Sequence, residues 1–246
     1  MTRKSLFRRE LLASSAVALF AITGCATART YQSRPPDLGA ADPPQPIGPG
    51  MWVYFTPEEG GAVAALVDRL VPADELGAGA REAGCAVFID RQLAGSYGAA
   101  QRLYMRPPFA HGTPEQGFQS PLTPAAQYRV ALAALEKYVG GAFVGQRIAD
   151  LTAAQRDKLL TGLEKGLIRL DGADGRAFFE LLLQNTMEGF FADPIYGGNR
   201  DMVGWKLLGF PGARYDYRDH IAKHNEPYPL PPVSLAGRPE WTQSGG

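Results

Sequence analysis

The sequence predicts a mainly α protein, a single helical-bundle domain of five to seven helices with long loops, preceded by an export signal and a Pro-rich linker. Three observations carry this. Apolar residues recur at helical spacing behind recognisable N-caps, as in Val63, Leu66, Val67, Leu70 and Val71 behind Thr56-Pro57-Glu58-Glu59. No stretch alternates apolar and polar residues between hairpin turns, so strand signals are weak. The chain also divides by composition into segments 1–28, 29–54, 55–225 and 226–246, and only the third can build a core.

The first 28 residues carry Arg3, Lys4, Arg8 and Arg9, then a short apolar run through Leu11, Leu12, Val17, Leu19, Phe20 and Ile22. A positive start followed by such a run is the pattern of an export signal. The run is too short, and too diluted by Ser14, Ser15 and Thr23, for the roughly 20 apolar residues of a membrane span. Phe7-Arg8-Arg9-Glu10-Leu11-Leu12 resembles a twin-arginine signal, which addresses passengers that cross already folded; an ordinary secretory signal is the competing reading. Ile22-Thr23-Gly24-Cys25 resembles a lipobox, with Cys25 as the lipidated residue, against cleavage after Ala26-Thr27-Ala28. Both readings predict a periplasmic protein, and lipidation makes it membrane-associated. Residues 35–50 hold six prolines and almost no large apolar side chain, the composition of an extended tether.

Within 55–225 the expected helices follow in order. Proline at the first turn and Glu59 at the third position complete a capping box on Thr56, and Pro72 ends that helix. A second helix is expected from about Arg81 to Leu93 with Val87, Phe88 and Leu93 inward, and a third piece through Tyr97, Leu103 and Tyr104 up to Pro107-Pro108. Residues 106–122 read as a surface loop. Thr123-Pro124 opens a helix burying Tyr128, Leu132, Leu135, Val139 and Phe143, and Thr152 with Gln155 opens one burying Leu159, Leu160 and Leu163. The last clear helix starts near Asp174 and carries Phe178, Phe179, Leu182, Leu183, Thr186 and Phe190.

Charge and chemistry narrow the function. Lys plus Arg and Asp plus Glu both number 25, which gives no electrostatic reason to expect nucleic acid as a partner. The chain has no Gly-rich dinucleotide fingerprint, phosphate loop, nucleophile elbow or CxxCH haem site. Cys85, set among Ala83, Ala86, Val87 and Phe88, reads as a buried structural thiol. His220 and His224 have metal-ligand spacing but precede Pro227 and Pro229 without a helix signal, so a solvated turn is favoured over a metal-dependent enzyme. Glu180 and Glu188 lack a histidine partner for acid/base work. No catalytic, cofactor-binding or metal-binding residue is assigned.

One stretch stands apart. Asp193-Pro194 stops the last clear helix, Gly197-Gly198-Asn199 permits a tight turn, and Gly209-Phe210-Pro211-Gly212 punctuates the chain again. Phe190, Phe191, Tyr196, Trp205 and Phe210 lie in and around these turns, more large aromatics than a solvated loop carries. Such a loop folds back on its core or presents an aromatic surface to a partner.

The run FFADPIYGGNRDMVGWKLLGFPG (190–212), with AREAGCAVFIDRQL (80–93) upstream and a twin-arginine-like signal in front, closely resembles the gluconate 2-dehydrogenase subunit 3 family over roughly Phe55 to Ile221. The resemblance implies a small, exported, non-catalytic subunit of a membrane-associated, FAD-dependent dehydrogenase of sugars or sugar acids. By the same resemblance, FAD sits on a large subunit of the glucose-methanol-choline type and electrons pass to haem c in a partner cytochrome. The small subunit would serve export through the twin-arginine machinery, maturation or stability of the flavoprotein. Asp193, Tyr196, Asn199, Arg200, Trp205, Lys206 and Phe210 are the candidate partner-interface residues. The competing reading is a stand-alone periplasmic lipoprotein that binds a ligand.

Overall fold

The computed structural model describes residues 52–236, apart from 110–111, 114–115, 117–119 and 215. The export signal with Arg8, Arg9 and Cys25, and the proline-rich tether up to residue 51, lie outside the described residues.

Six α-helices are present among the described residues: α1 (Pro57–Leu70), α2 (Cys85–Ala94), α3 (Pro124–Ala142), α4 (Ala153–Glu164), α5 (Gly175–Phe191) and the short α6 (Val203–Leu208). No strand occurs among them, only isolated bridges. The caps are those the sequence offers. Thr56 and Glu59 form a reciprocal box at α1, Thr152 and Gln155 form another at α4, and the side chains of Thr123 and Asp174 accept first-turn N–H groups of α3 and α5. Each cap satisfies donors that a helix cannot satisfy itself.

Helix α5 is the central post. It packs against α1, α2, α3 and α4 and, at its C-terminal end, against α6. Its apolar stripe, Phe178, Phe179, Leu182 and Phe190, meets Leu66 and Val67 of α1, Phe88 and Ile89 of α2, Tyr128 and Leu132 of α3, and Leu159 and Leu163 of α4 in one buried cluster. Cys85 is buried within it, and burial pushes its thiol up to about 12.

The structure departs from the sequence reading at several places, among them Phe143, which is only half-buried. Helix α2 begins at Cys85, not near Arg81, because Gly84 is left-handed (φ 78°) and residues 79–84 close a turn through Ala83 N–H to Gly79 O. Val87 is half-buried, and Ile89 is fully buried in its place. Residues 96–102 form turns and no helix: Ala100 has φ 53°, which an α-helix excludes, and Leu103 and Tyr104 are exposed. Those turns deliver Tyr97 to a polar knot in the core. The Tyr128 hydroxyl donates to Asn185 Oδ1 at 3.0 Å, and Asn185 Nδ2 donates to the Tyr97 hydroxyl at 3.0 Å and to Glu188 Oε2 at 3.2 Å.

A second polar feature pins the entry of the chain. Asp90, fully buried on α2, accepts the backbone N–H groups of Val53, Tyr54 and Phe55 at 2.8, 2.9 and 2.9 Å and pairs with Arg91. Phe55 then sits within aromatic contact of Trp52, Tyr54 and Tyr128. Residues 52–54, which composition assigns to the linker, are thus bound to the bundle.

Candidate partner-docking surface

The region after α5 is built by a sequence of turns, each fixed by a buried polar side chain. Asp193 caps the 3-10 turn Pro194–Tyr196 through Ile195 N–H at 3.0 Å. Gly198 follows and lies so close to α5 that a Cβ there would stand 2.2 Å from Gly189 O. Asn199 is fully buried: its Nδ2 donates to Ala192 O at 2.8 Å while its Oδ1 accepts Gly204 N–H at 2.8 Å. One amide therefore joins the end of α5 to the start of α6.

The backbone between those bonds is strained. Asn199, Asp201 and Met202 all have positive φ, at 44°, 56° and 56°. Asparagine and aspartate tolerate that region, but Met202 costs on the order of 1 kcal/mol or more there. The conformation holds because Met202 N–H reaches Asn199 O at 2.8 Å and Arg200 N–H reaches Ala83 O at 3.0 Å, tying the turn to the approach to α2. Strain maintained by so many contacts is characteristic of segments shaped for a task.

Helix α6 stands on this turn. Trp205 faces inward, only 6 % exposed, with its indole N–H on Phe191 O at 2.7 Å. Lys206, Leu207 and Leu208 face outward, Leu208 being 65 % exposed. Gly209 closes the helix in the left-handed conformation, and Phe210 lies edge-on to Trp205 at 5.3 Å with nearly half its surface in solvent.

The seven candidate residues therefore separate into two groups. Asp193, Asn199 and Trp205 are buried and bonded within the protein, so they shape the surface. Tyr196, Lys206 and Phe210 are exposed, and Arg200 is half-buried at the rim.

Sequence reasoning missed part of this surface. After Pro72 the chain makes a small turn in which Asp74 and Gly77 exchange backbone hydrogen bonds at 3.1 and 3.2 Å, and Asp74 Oδ1 accepts Leu76 N–H at 2.8 Å. The turn projects Leu76, 74 % exposed, toward α6. Between them runs an apolar groove of about 340 Å³ lined by Val71, Pro72, Leu76, Phe190, Val203 and Leu207, with Asp74 and Lys206 at its edge. The signal was a single leucine inside the otherwise small and polar run Pro72-Ala73-Asp74-Glu75-Leu76-Gly77. A second, more open groove of about 470 Å³ lies between α2 and α5, lined by Phe88, Phe191, Ala192 and Tyr196. Leu76, Leu207, Leu208 and Phe210 together are the kind of apolar exposure that a protein interface covers.

Of the other candidates, Glu188 lines the second groove, while His220, His224 and Glu180 line neither groove. His220 closes the 3-10 turn Arg218–His220 and packs its ring at a tilt against Tyr228 at 4.8 Å, while His224 lies beyond the turn. Glu180 pairs with Arg176, and Glu188 accepts from Asn185 and Gln184. Among the described residues no group of three or more His, Cys, Asp or Glu side chains is placed to hold a metal ion, and no helix is long and apolar enough to cross a membrane.

Comparison with known proteins identifies a family. The family model described as gluconate 2-dehydrogenase subunit 3 matches residues 57–212, from the start of α1 to the glycine that closes the aromatic turns. No curated protein and no solved structure matches the chain.

Proposed function

The chain belongs to the gluconate 2-dehydrogenase subunit 3 family, and from that premise we propose that it is the non-catalytic small subunit of a membrane-associated, FAD-dependent sugar or sugar-acid dehydrogenase. FAD resides on a large flavoprotein subunit and haem c on a cytochrome subunit; this chain binds neither. It accompanies the folded flavoprotein through the twin-arginine route signalled by Arg8 and Arg9, and lipidated Cys25 keeps the assembly at the periplasmic membrane face.

The observation that carries the reading is the apolar ridge of Leu207, Leu208 and Phe210 mounted on a strained, internally bonded turn, with exposed Leu76 facing it across the groove. Exposing that much apolar surface on a rigid base disfavours the chain alone and favours a complex. An interface hot spot needs apolar or aromatic anchors of this kind, with polar groups such as Lys206 and Tyr196 around them.

The test is affinity purification of this chain from its native membrane, followed by an absorption spectrum and protein identification. The reading expects flavin and haem bands from co-purified subunits. A colourless, monomeric chain would refute it.

A further inference from the structure

The family match ends at Gly212, but the described chain continues and returns to the aromatic turns. Residues 231–236 lie across them as a strap with anchors on both sides. On one side, Val233 N–H donates to Pro211 O at 3.2 Å and Val233 O accepts Ala213 N–H at 2.7 Å, bridging Gly212. Only glycine permits this: φ is 78°, and a Cβ would stand 2.2 Å from Val233 O. On the other side is Asp193. Its Oδ1 accepts the Ser234 hydroxyl at 2.7 Å and its Oδ2 accepts Leu235 N–H at 2.7 Å, while Oδ1 also keeps the cap on Ile195.

Asp193 sits at the end of α5, and Gly212 sits just beyond the end of α6. The strap therefore joins the two ends of the segment that carries Leu207, Leu208 and Phe210. Arg214 also reaches Pro231 O at 2.6 Å; without the strap, the backbone–backbone bonds of the Gly209-Phe210-Pro211-Gly212 turn would run only to α6 and to Arg214, with the Tyr217 hydroxyl on Gly212 O at 3.5 Å. A surface whose backbone is fixed before encounter loses less conformational freedom on binding.

We propose that Asp193 is a positioning residue for assembly: by locking the 231–236 strap across the turn at 209–213, it holds the docking ridge preformed for the large subunit without touching that subunit. This rests on the docking reading above. The strap lies outside the residues the family model matches, whereas Asp193 lies within them.

Asp193→Asn separates the lock from the cap. An asparagine oxygen still accepts Ile195 N–H, but its amide nitrogen cannot accept Leu235 N–H. Val233→Pro removes a strap donor on the opposite side and leaves residues 190–200 untouched. Two measurements on the full chain read the result. Amide hydrogen exchange should accelerate about tenfold or more at Ala213 and Leu235 in Asp193→Asn and at Ala213 in Val233→Pro, with α3 and α5 unchanged, because only a local unit opens. Association of each variant with the flavoprotein subunit recovered alongside the wild-type chain should slow about tenfold while dissociation changes less, as expected when ordering precedes docking. Unchanged exchange overturns the lock. Faster exchange with unchanged association overturns the positioning role while docking stands. If Leu208→Glu also associates as the wild type does, the docking reading itself fails, whatever the strap does.

Discussion

The bundle and the region from 190 to 236 satisfy their backbone polar groups in opposite ways. In α1 to α5 the donors and acceptors are consumed inside helices of 10 to 19 residues, and the side chains are free to pack into a largely apolar core. Beyond α5 no helix among the described residues exceeds the six residues of α6. There the backbone is held by side chains instead, by Asp193, Asn199 and Trp205, each bonded to main chain. The consequence is a difference in what faces solvent. The bundle turns its large apolar residues inward, whereas the later region uses a few buried polar locks to hold leucines and a phenylalanine outward.

Two carboxylates make the comparison testable. Asp90 holds the entry of the chain and Asp193 its return, each by accepting backbone N–H groups from a distant segment. Asp90 lies inside the core, so Asp90→Ala would leave the N–H groups of Val53, Tyr54 and Phe55 without their acceptor. We expect the largest loss here, roughly 4 kcal/mol of global stability, read from urea denaturation. A shift below about 1 kcal/mol would mean that water replaces the carboxylate and that the anchor is peripheral.

Trp205→Ala comes next. Removing a buried indole costs about 3 kcal/mol or more locally, but the bundle does not depend on α6, so amide protection should vanish in α6 while α3 and α4 stay protected. Loss of protection throughout would erase the distinction between the two regions. Tyr128→Phe should cost about 1 kcal/mol, because it removes one hydrogen bond to Asn185 while preserving the ring's contacts with Phe55 and Phe178. No loss would show that the polar knot adds nothing to packing.

The smallest effect is in alkali. The Cys85 thiol is held up to about 12, against an ordinary value of 9.0, by burial. The protonated form is favoured in the folded state, so its contribution is fully present below about pH 9 and is lost as pH rises through about 12. The fully buried Tyr128 phenol, raised well above its ordinary value by the same cause, adds to this slope. Cys85→Ala should flatten part of the alkaline decline in denaturation midpoint. Identical slopes in both proteins would place Cys85 in water.

The bundle was legible because its signals are local. Thr56 with Glu59, Thr123 with Pro124, and Thr152 with Gln155 announce helices within a few residues, and the apolar spacing behind them identifies most of the core. The second region was legible only in composition. Its aromatics and glycines mark 190–212, but not which side chains point outward, and Trp205 and Phe210 look equivalent in sequence while one is buried and the other half exposed. The locks were not legible at all. Asp90 meets partners 35 to 37 residues away, and Asp193 meets Ser234 and Leu235 at separations of 41 and 42. An acid accepting backbone N–H groups leaves no mark on the sequence of its partners. Tyr97 fails for the same reason: local pattern reads helix, while a hydrogen bond to Asn185, 88 residues on, belongs to a turn.

The most direct measurement of the docking account is the Leu207→Glu, Leu208→Glu double variant, compared with wild type for stability and for recovery of the flavoprotein subunit. Both side chains are exposed, so denaturation should shift by no more than about 0.5 kcal/mol, while two carboxylates on the ridge should cut recovery of the flavoprotein at least tenfold. A variant as stable as the wild type that still recovers the flavoprotein in full would contradict the claim that this ridge is where the partner docks.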